Sequence, residues 1–252
     1  MCYTFMEIQL IYLITFLLVI LQTIVGVGVL VLGTPVLLIL NYNIVEIMNL
    51  LLPISIITSL FNYIYLKYNK KKFKINLDKN IKKTFIIICL PGISIGLILT
   101  REFFHHINFE ILVSLIIILS LVIKWKCENL MKSLPSTLNK IVLILISIIH
   151  GLTNSGGTLL TIFFTSFDKN KKNQSRYSVT FYYLILVLVQ YLVFLIVFKK
   201  ELLVDYPFQM ILLVIPALVL GNIIVKKISE KFFKKIIELL ALISAVFLLL
   251  NN

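Results

Sequence analysis

The chain has 252 residues, of which 60% are apolar and only 14% carry a charge. A soluble domain usually has about a quarter of its residues charged, so this composition excludes an ordinary soluble protein. The net charge of +13 does not indicate a nucleic-acid partner, because no basic patch is interleaved with aromatic side chains. Basic loops that orient a membrane protein in the lipid bilayer explain that charge.

Eight apolar segments follow one another along the chain. A helix that crosses a bilayer core of about 30 Å needs roughly 20 apolar residues. The segments cover residues 8–40, 44–66, 84–100, 109–124, 140–167, 178–198, 207–225 and 233–250. They predict an all-α polytopic membrane protein with one membrane domain, residues 1–252. The N-terminus has no small-residue cleavage site, so the first segment is interpreted as a retained membrane element.

Two of the segments are interrupted by glycines. Segment 8–40 contains GVGVLVLGTP at Gly26–Pro35, and segment 140–167 contains HGLTNSGGT at His150–Thr158. Each is too long for one upright helix and too short for two full spans. Three ordinary segments follow each interrupted one. The chain is therefore divided into two four-segment repeats, 1–124 and 139–252, joined by a linker at 125–138. This arrangement is typical of transporters with a central binding site.

Basic residues predict the orientation of the segments. Four clusters hold 21 of the 24 Lys and Arg residues, at 67–83, 124–140, 169–176 and 226–235. If every segment crossed once, the two faces would carry 14 and 10 basic residues; if segment 140–167 is re-entrant, they carry 21 and 3. The positive-inside bias favours the second arrangement. The two repeats are then inverted, and by symmetry the first interrupted segment is also re-entrant, from the outside.

The two breaks are the candidate substrate site. Thr34 is predicted to cap a helix that begins at Pro35, and Asn154 and Ser155 to precede a second helix start. Two such helix N-termini would present free N–H groups and a partial positive charge to a small anion. The candidate substrate-binding residues are Gly26, Gly28, Gly33, Thr34, Pro35, His150, Asn154, Ser155, Gly156, Gly157 and Thr158.

Several of these features have a plain structural alternative. Glycines in membrane helices usually serve close packing, and this is the interpretation of Gly92, Gly96 and Gly221. The glycines of the first break fit packing and binding equally. His150 is either a proton relay or a neutral histidine that caps a backbone group. Polar residues in the second and sixth segments either line a cavity or make bonds between helices: Ser55, Thr58, Ser59, Asn62, Gln190 and Tyr191.

The sequence carries no signature of an enzyme, a cofactor or a metal site. There is no GxSxG, HExxH or P-loop motif, and no pair of carboxylates within a segment. Cys2, Cys89 and Cys127 are far apart and form no CxxC motif, so they predict neither a disulfide nor a metal site. His105 and His106 lie in a short connection where adjacent histidines are usually solvated.

The glycine-rich breaks resemble those of the TauE/SafE family of sulfite exporter-like membrane transporters. The likeness rests on GVGVLVLGTP, on SIIHGLTNSGGTLL at Ser147–Leu160, and on a seventh-segment glycine, Gly221, followed by a basic loop. It implies transport of sulfur-containing anions such as sulfite, sulfonates or sulfoacetate across the cell (inner) membrane. Thr158 stands where members often have proline, and the first motif lacks a double glycine. These departures concern the substrate more than the fold.

The leading hypothesis is a secondary transporter of a small anion. The alternative is a membrane subunit that anchors or assembles a partner complex without transport, and it predicts breaks that are packed without a polar cavity. An intramembrane enzyme is a third possibility, but the chain offers no recognised acid, base or metal set for it.

Overall fold

A computed structural model describes residues 5–69, 79–132, 135–167, 172–198 and 209–250. Helices form nearly all of this part of the chain, and it contains no strand. This confirms the all-α class. In chain order the helices are α1 (Phe5–Val25), α2 (Val29–Ile39), α3 (Ile44–Tyr68), α4 (Lys79–Phe103), α5 (Phe109–Lys132), α6 (Ser136–Thr153), α7 (Gly156–Phe167), α8 (Lys172–Val197), α9 (Gln209–Lys227) and α10 (Glu230–Leu250).

The surface of the protein is apolar and its interior is partly polar. Four described helices are long and apolar enough to cross a membrane: Ile44–Tyr68, Ile81–Phe103, Asn173–Val197 and Met210–Lys227. Large side chains such as Leu119, Leu192 and Ile215 are more than half exposed. Polar groups such as those of Gln22 and Arg176 are buried instead. Extensive exposed apolar surface is abnormal in water and normal in lipid, so the protein is a multi-pass membrane protein.

Both interrupted segments fold back on themselves. The first break lies between α1 and α2, where a methyl group placed on Gly28 would lie 2.8 Å from the backbone nitrogen of Gln22. Five residues later, one on Gly33 would lie 2.9 Å from Leu18. As residue numbers rise along α2 they fall along α1, so the chain reverses at the break. The second break lies at Asn154 and Ser155, between α6 and α7.

The short members of the two pairs do not reach across a bilayer. Helix α2 has 11 residues and α7 has 12, which at 1.5 Å per residue makes each about 16–18 Å long. That is roughly half of the hydrocarbon thickness. Each interrupted segment therefore contains one longer and one shorter helix.

The predicted start of the second helix was wrong. Gly28, not Thr34, is the N-cap of α2, and Pro35 lies inside that helix. The helix starts earlier because Gly26 adopts a positive φ of 99° that ends α1, and the chain resumes helical geometry three residues later. Pro35 is tolerated because it removes a single backbone bond within the helix. Within the predicted linker, α5 continues to Lys132 and α6 begins at Ser136.

Glycines hold two pairs of helices in close contact. A methyl group on Gly92 would lie 2.6 Å from Ser147 Cβ, and one on Gly151 would lie 2.5 Å from the carbonyl oxygen of Ile93, so α4 and α6 meet backbone to backbone. A methyl group on Gly221 would lie 2.7 Å from Thr23 Cβ, which seats α9 on α1. Gly96 packs on the same stretch of α6. The packing interpretation of Gly92, Gly96 and Gly221 is confirmed.

Helices α3 and α8 cross the interior in opposite directions. The Ser55 hydroxyl lies 3.3 Å from the Tyr183 hydroxyl. Further along α3, Asn62 Oδ1 lies 2.9 Å from Arg176 Nη2. Rising numbers on α3 therefore meet falling numbers on α8. The pair carries most of the polar side chains that approach the two breaks.

Candidate transport site at the two helix breaks

The first break is closed by the side chain of Gln22. Its Oε1 accepts a hydrogen bond from the N–H of Val29 at 2.9 Å, the first N–H of α2. Its Nε2 donates to Ser59 Oγ and to the carbonyl oxygen of Ser55, both at 2.9 Å. The four leading N–H groups of a helix have no partner within it. At α2 the protein itself supplies a partner for one of these N–H groups, through the side chain of Gln22.

The carbonyl end of α1 is also satisfied at this break. The carbonyl oxygen of Thr23 accepts hydrogen bonds from Arg176 Nε at 2.8 Å and from Asn62 Nδ2 at 3.3 Å. Gly26 passes so close to α8 that a methyl group on it would lie 2.9 Å from Thr180 Oγ1. Together with its positive φ, this contact explains why the position is glycine.

The second break is built around Asn154. The residue adopts a left-handed conformation, φ 61°, and its N–H donates to the carbonyl oxygen of His150 at 2.9 Å. Its Nδ2 donates to Thr34 Oγ1 at 3.1 Å, and its Oδ1 accepts from Gln190 Nε2 at 2.7 Å. One asparagine thus ties the break to α2 and α8. Thr34, predicted as a cap, meets the site as a hydrogen-bond partner from mid-helix.

The start of α7 is tightly packed. Thr158 Oγ1 donates to the carbonyl oxygen of Ser155 at 2.7 Å and lies 3.4 Å from Ser120 Oγ. A methyl group on Gly157 would lie 3.1 Å from the Tyr183 ring. The first turn of α7 therefore presents backbone and hydroxyl groups but almost no side-chain bulk. No described side chain accepts a hydrogen bond from the N–H of Gly156 or Gly157.

His150 is buried beside this helix start with its ring nitrogens unused. The residue is 0% exposed, and within the described part of the chain neither Nδ1 nor Nε2 has a hydrogen-bond partner. A methyl group on Gly156 would lie 2.5 Å from His150 Cβ, and the imidazole and Tyr183 rings are 5.7 Å apart. Gln190 Oε1 is likewise buried without a partner. The ring also interacts with the backbone of Asn154, the kind of contact that the interpretation of His150 as a side-chain cap requires.

The two breaks share a geometry and differ in chemistry. Gly28 packs on Gln22 and Gly156 packs on His150, six residues apart in each case. At the first break the amide of Gln22 caps the following helix. At the second, the equivalent place is occupied by an imidazole whose two nitrogens have no hydrogen-bond partner in the described part of the chain. At the first break Gln22 satisfies the start of the following helix, whereas the second break has polar groups left for another molecule.

The structure brings most of the predicted site residues to the two breaks, but two predicted residues, Gly33 and Pro35, lie away from the breaks within α2. Gly33 is surrounded by Leu18 and Leu51, and Pro35 is buried within α2. Sequence reasoning missed several residues of the site: Gln22, Thr180, Arg176, Tyr183 and Asn222. A usable signal existed for Gln22, an amide inside a long run without charges. Arg176 was counted only as part of a basic cluster.

Comparison with known proteins gives one result. A family model described as Sulfite exporter TauE/SafE matches residues 11–248. Neither a curated protein nor a solved structure matches the chain. The match covers both breaks and all the helices around them, in agreement with the resemblance of the glycine-rich motifs. The chain belongs to the TauE/SafE sulfite exporter family of membrane transporters.

Proposed function

We propose that this protein is a secondary transporter that carries a small anion, such as sulfite or a sulfonate, across the cell (inner) membrane. The substrate binds at the second break, against the first turn of α7. Asn154, Ser155, Gly156, Gly157 and Thr158 supply the polar surroundings, and His150 supplies a further hydrogen-bonding group.

One observation carries the proposal: a buried imidazole, which has no hydrogen-bond partner among the described residues, stands beside an uncapped helix start. The N-terminus of a helix bears a partial positive charge of about half a unit and favours anions. The first break shows what the same geometry looks like when the protein caps it internally, with Gln22 on Val29. At the second break, His150 and Gln190 Oε1 keep free hydrogen-bonding capacity that an oxyanion can use.

The membrane potential supplies a driving force for such a substrate. Moving one elementary charge is worth about 2.3 kcal/mol per 100 mV. A cell interior that is negative therefore expels an anion without further coupling, and import requires a co-transported cation.

The proposal is tested with purified protein in liposomes. Under an imposed potential we expect flux of radiolabelled sulfite or methanesulfonate well above that of protein-free liposomes, with acetate and sulfate as comparison anions. The transport hypothesis fails if none of these anions moves faster than in protein-free liposomes. The anchoring-subunit hypothesis predicts that result. It is favoured only by the first break, where the side chain of Gln22 caps the start of α2.

The proposed transporter consists of two inverted halves, α1–α5 and α6–α10. The helix contacts support this when α1–α5 are matched in order with α6–α10. The contact between α1 and α9 then corresponds to the contact between α6 and α4, and the contact between α2 and α10 corresponds to that between α7 and α5. The direction of α8 supports it further. If every segment crossed once, α3 and α8 would run in parallel, whereas their contacts are antiparallel.

Labelling of single cysteines tests this topology. In a protein without its native cysteines, we expect Lys67→Cys and Lys226→Cys to react from the cytoplasmic face, and Arg101→Cys to react from outside. All three positions are exposed. If every segment crossed once, Lys226→Cys would label together with Arg101→Cys and opposite to Lys67→Cys. That pattern would rule out the inverted halves.

A further inference from the structure

Arg176 is a buried guanidinium inside the helix bundle. Only 1% of the residue is exposed. Its Nη2 donates to Asn62 Oδ1 and to Asn222 Oδ1, both at 2.9 Å, and its Nε donates to the carbonyl oxygen of Thr23 at 2.8 Å. These bonds hold one planar group between α1, α3, α8 and α9.

The acceptors around this cation are all neutral within the described part of the chain. Two are amide oxygens and the third is a backbone carbonyl. Arginine keeps its proton in proteins, so the charge cannot be removed by deprotonation. The carbonyl end of α1 offsets only a part of it. A buried charge without a counter-ion is unfavourable, and within a membrane protein it marks a functional position by default.

The amides are fixed with their oxygens toward the arginine. Asn62 Nδ2 donates to the carbonyl oxygen of Thr23 at 3.3 Å, and Asn222 Nδ2 donates to that of Leu218 at 3.0 Å. Both side chains thus solvate the guanidinium without neutralising it. A carboxylate at either position would make an internal ion pair, and this chain has asparagine at both.

We propose that Arg176 is the charge-selecting residue of the transport path and that the transported oxyanion is its counter-ion. This rests on the proposed function and adds a second station at the first break, distinct from the start of α7. The backbone of Gly26 passes within contact of the Arg176 carbonyl, which places this station at the first break. Three of the five guanidinium N–H groups are bonded to Thr23, Asn62 and Asn222, so the two on Nη1 are the donors left for an oxygen of the anion.

A structural role for Arg176 is the competing explanation. In that case the residue only joins four helices and satisfies the end of α1. Replacing the arginine cannot separate the two explanations, because a variant such as Arg176→Gln loses both the bonds and the charge.

Giving the arginine an internal counter-ion does separate them. In Asn222→Asp the carboxylate oxygen stays within reach of Nη2, so the bonds of Arg176 persist while its charge is neutralised. We expect this variant to be as thermally stable as the wild type and its sulfite flux to fall at least tenfold. Asn43→Asp is the matched control, because Asn43 is an exposed helix cap and asparagine and aspartate cap equally well. Its flux is expected to be that of the wild type.

The results distinguish this inference from the proposed function. Wild-type flux with undiminished flux in Asn222→Asp overturns the role of Arg176 and leaves the transporter intact. Absence of flux in the wild type overturns both.

Discussion

Replacing Asn154 by leucine is expected to abolish anion flux and to lower the thermal stability of the protein. Among the described residues, this side chain alone is hydrogen-bonded from the second break to both α2, at Thr34, and α8, at Gln190. Leucine removes both hydrogen bonds and leaves the buried Thr34 Oγ1 unpaired, at a cost of about 1–3 kcal/mol, while Gln190 Nε2 keeps only its bond to the His150 carbonyl oxygen. It also tolerates the φ of 61° poorly, which adds roughly 1–2 kcal/mol.

Asn154→Gly separates the backbone from the side chain. Glycine accepts the left-handed conformation without strain, so its melting temperature is expected to lie between those of the wild type and the leucine variant. Its flux is expected to remain low, because the polar groups of the break are still missing. Wild-type flux in Asn154→Gly would show that the side chain serves the fold alone. Fluorescence-detected melting and liposome flux on the same preparations measure both effects.

Replacing Gly26 by valine is expected to cause the largest loss of folded protein. The residue has a φ of 99°, a conformation that side chains, and β-branched ones above all, rarely adopt. A methyl group at this position would lie 2.9 Å from Thr180 Oγ1 and 3.2 Å from the Arg176 carbonyl oxygen. Backbone strain and overpacking together are expected to cost about 3 kcal/mol or more.

Gly33→Ala is the comparison for that change. A methyl group on Gly33 would meet the Cδ1 atoms of Leu51 and Leu18 at 2.6 and 2.9 Å. These are the ends of flexible side chains, and Gly33 has no positive φ. Its melting temperature is therefore expected to fall less than that of Gly26→Val. An equal fall in both would mean that the break tolerates no added bulk anywhere, and that the φ of Gly26 is unimportant.

Much of this fold could be predicted because lipid imposes simple rules on sequence. Apolar runs give the helices, and the breaks at Gly26–Gly28 and Asn154–Ser155 follow from residues that favour irregular backbone. The start of α2 could not be found in the same way. Thr34 and Pro35 imitate a helix start, whereas the N-cap is Gly28. Gln22 satisfies the first N–H of α2, that of Val29, only after the chain folds back.

The chemistry of the site depends on contacts between distant residues. Arg176 resembles any other member of a basic cluster until Asn62 and Asn222 are found on either side of it. His150 was visible as an ionisable group beside a break. Whether its ring was already used as a cap is a property of the packed interior, where its nitrogens have no hydrogen-bond partner among the described residues.

The glycine contacts of the bundle tie its beginning to its end. Helix α1, from the first half of the chain, packs against α9, from the second half, at Gly221. In the same way α4, from the first half, packs against α6, from the second half. Neither half therefore contains all the partners that its own helices require. During synthesis the first helices enter the membrane with their contact faces turned to lipid, and the interior closes only when the last third of the chain has been made.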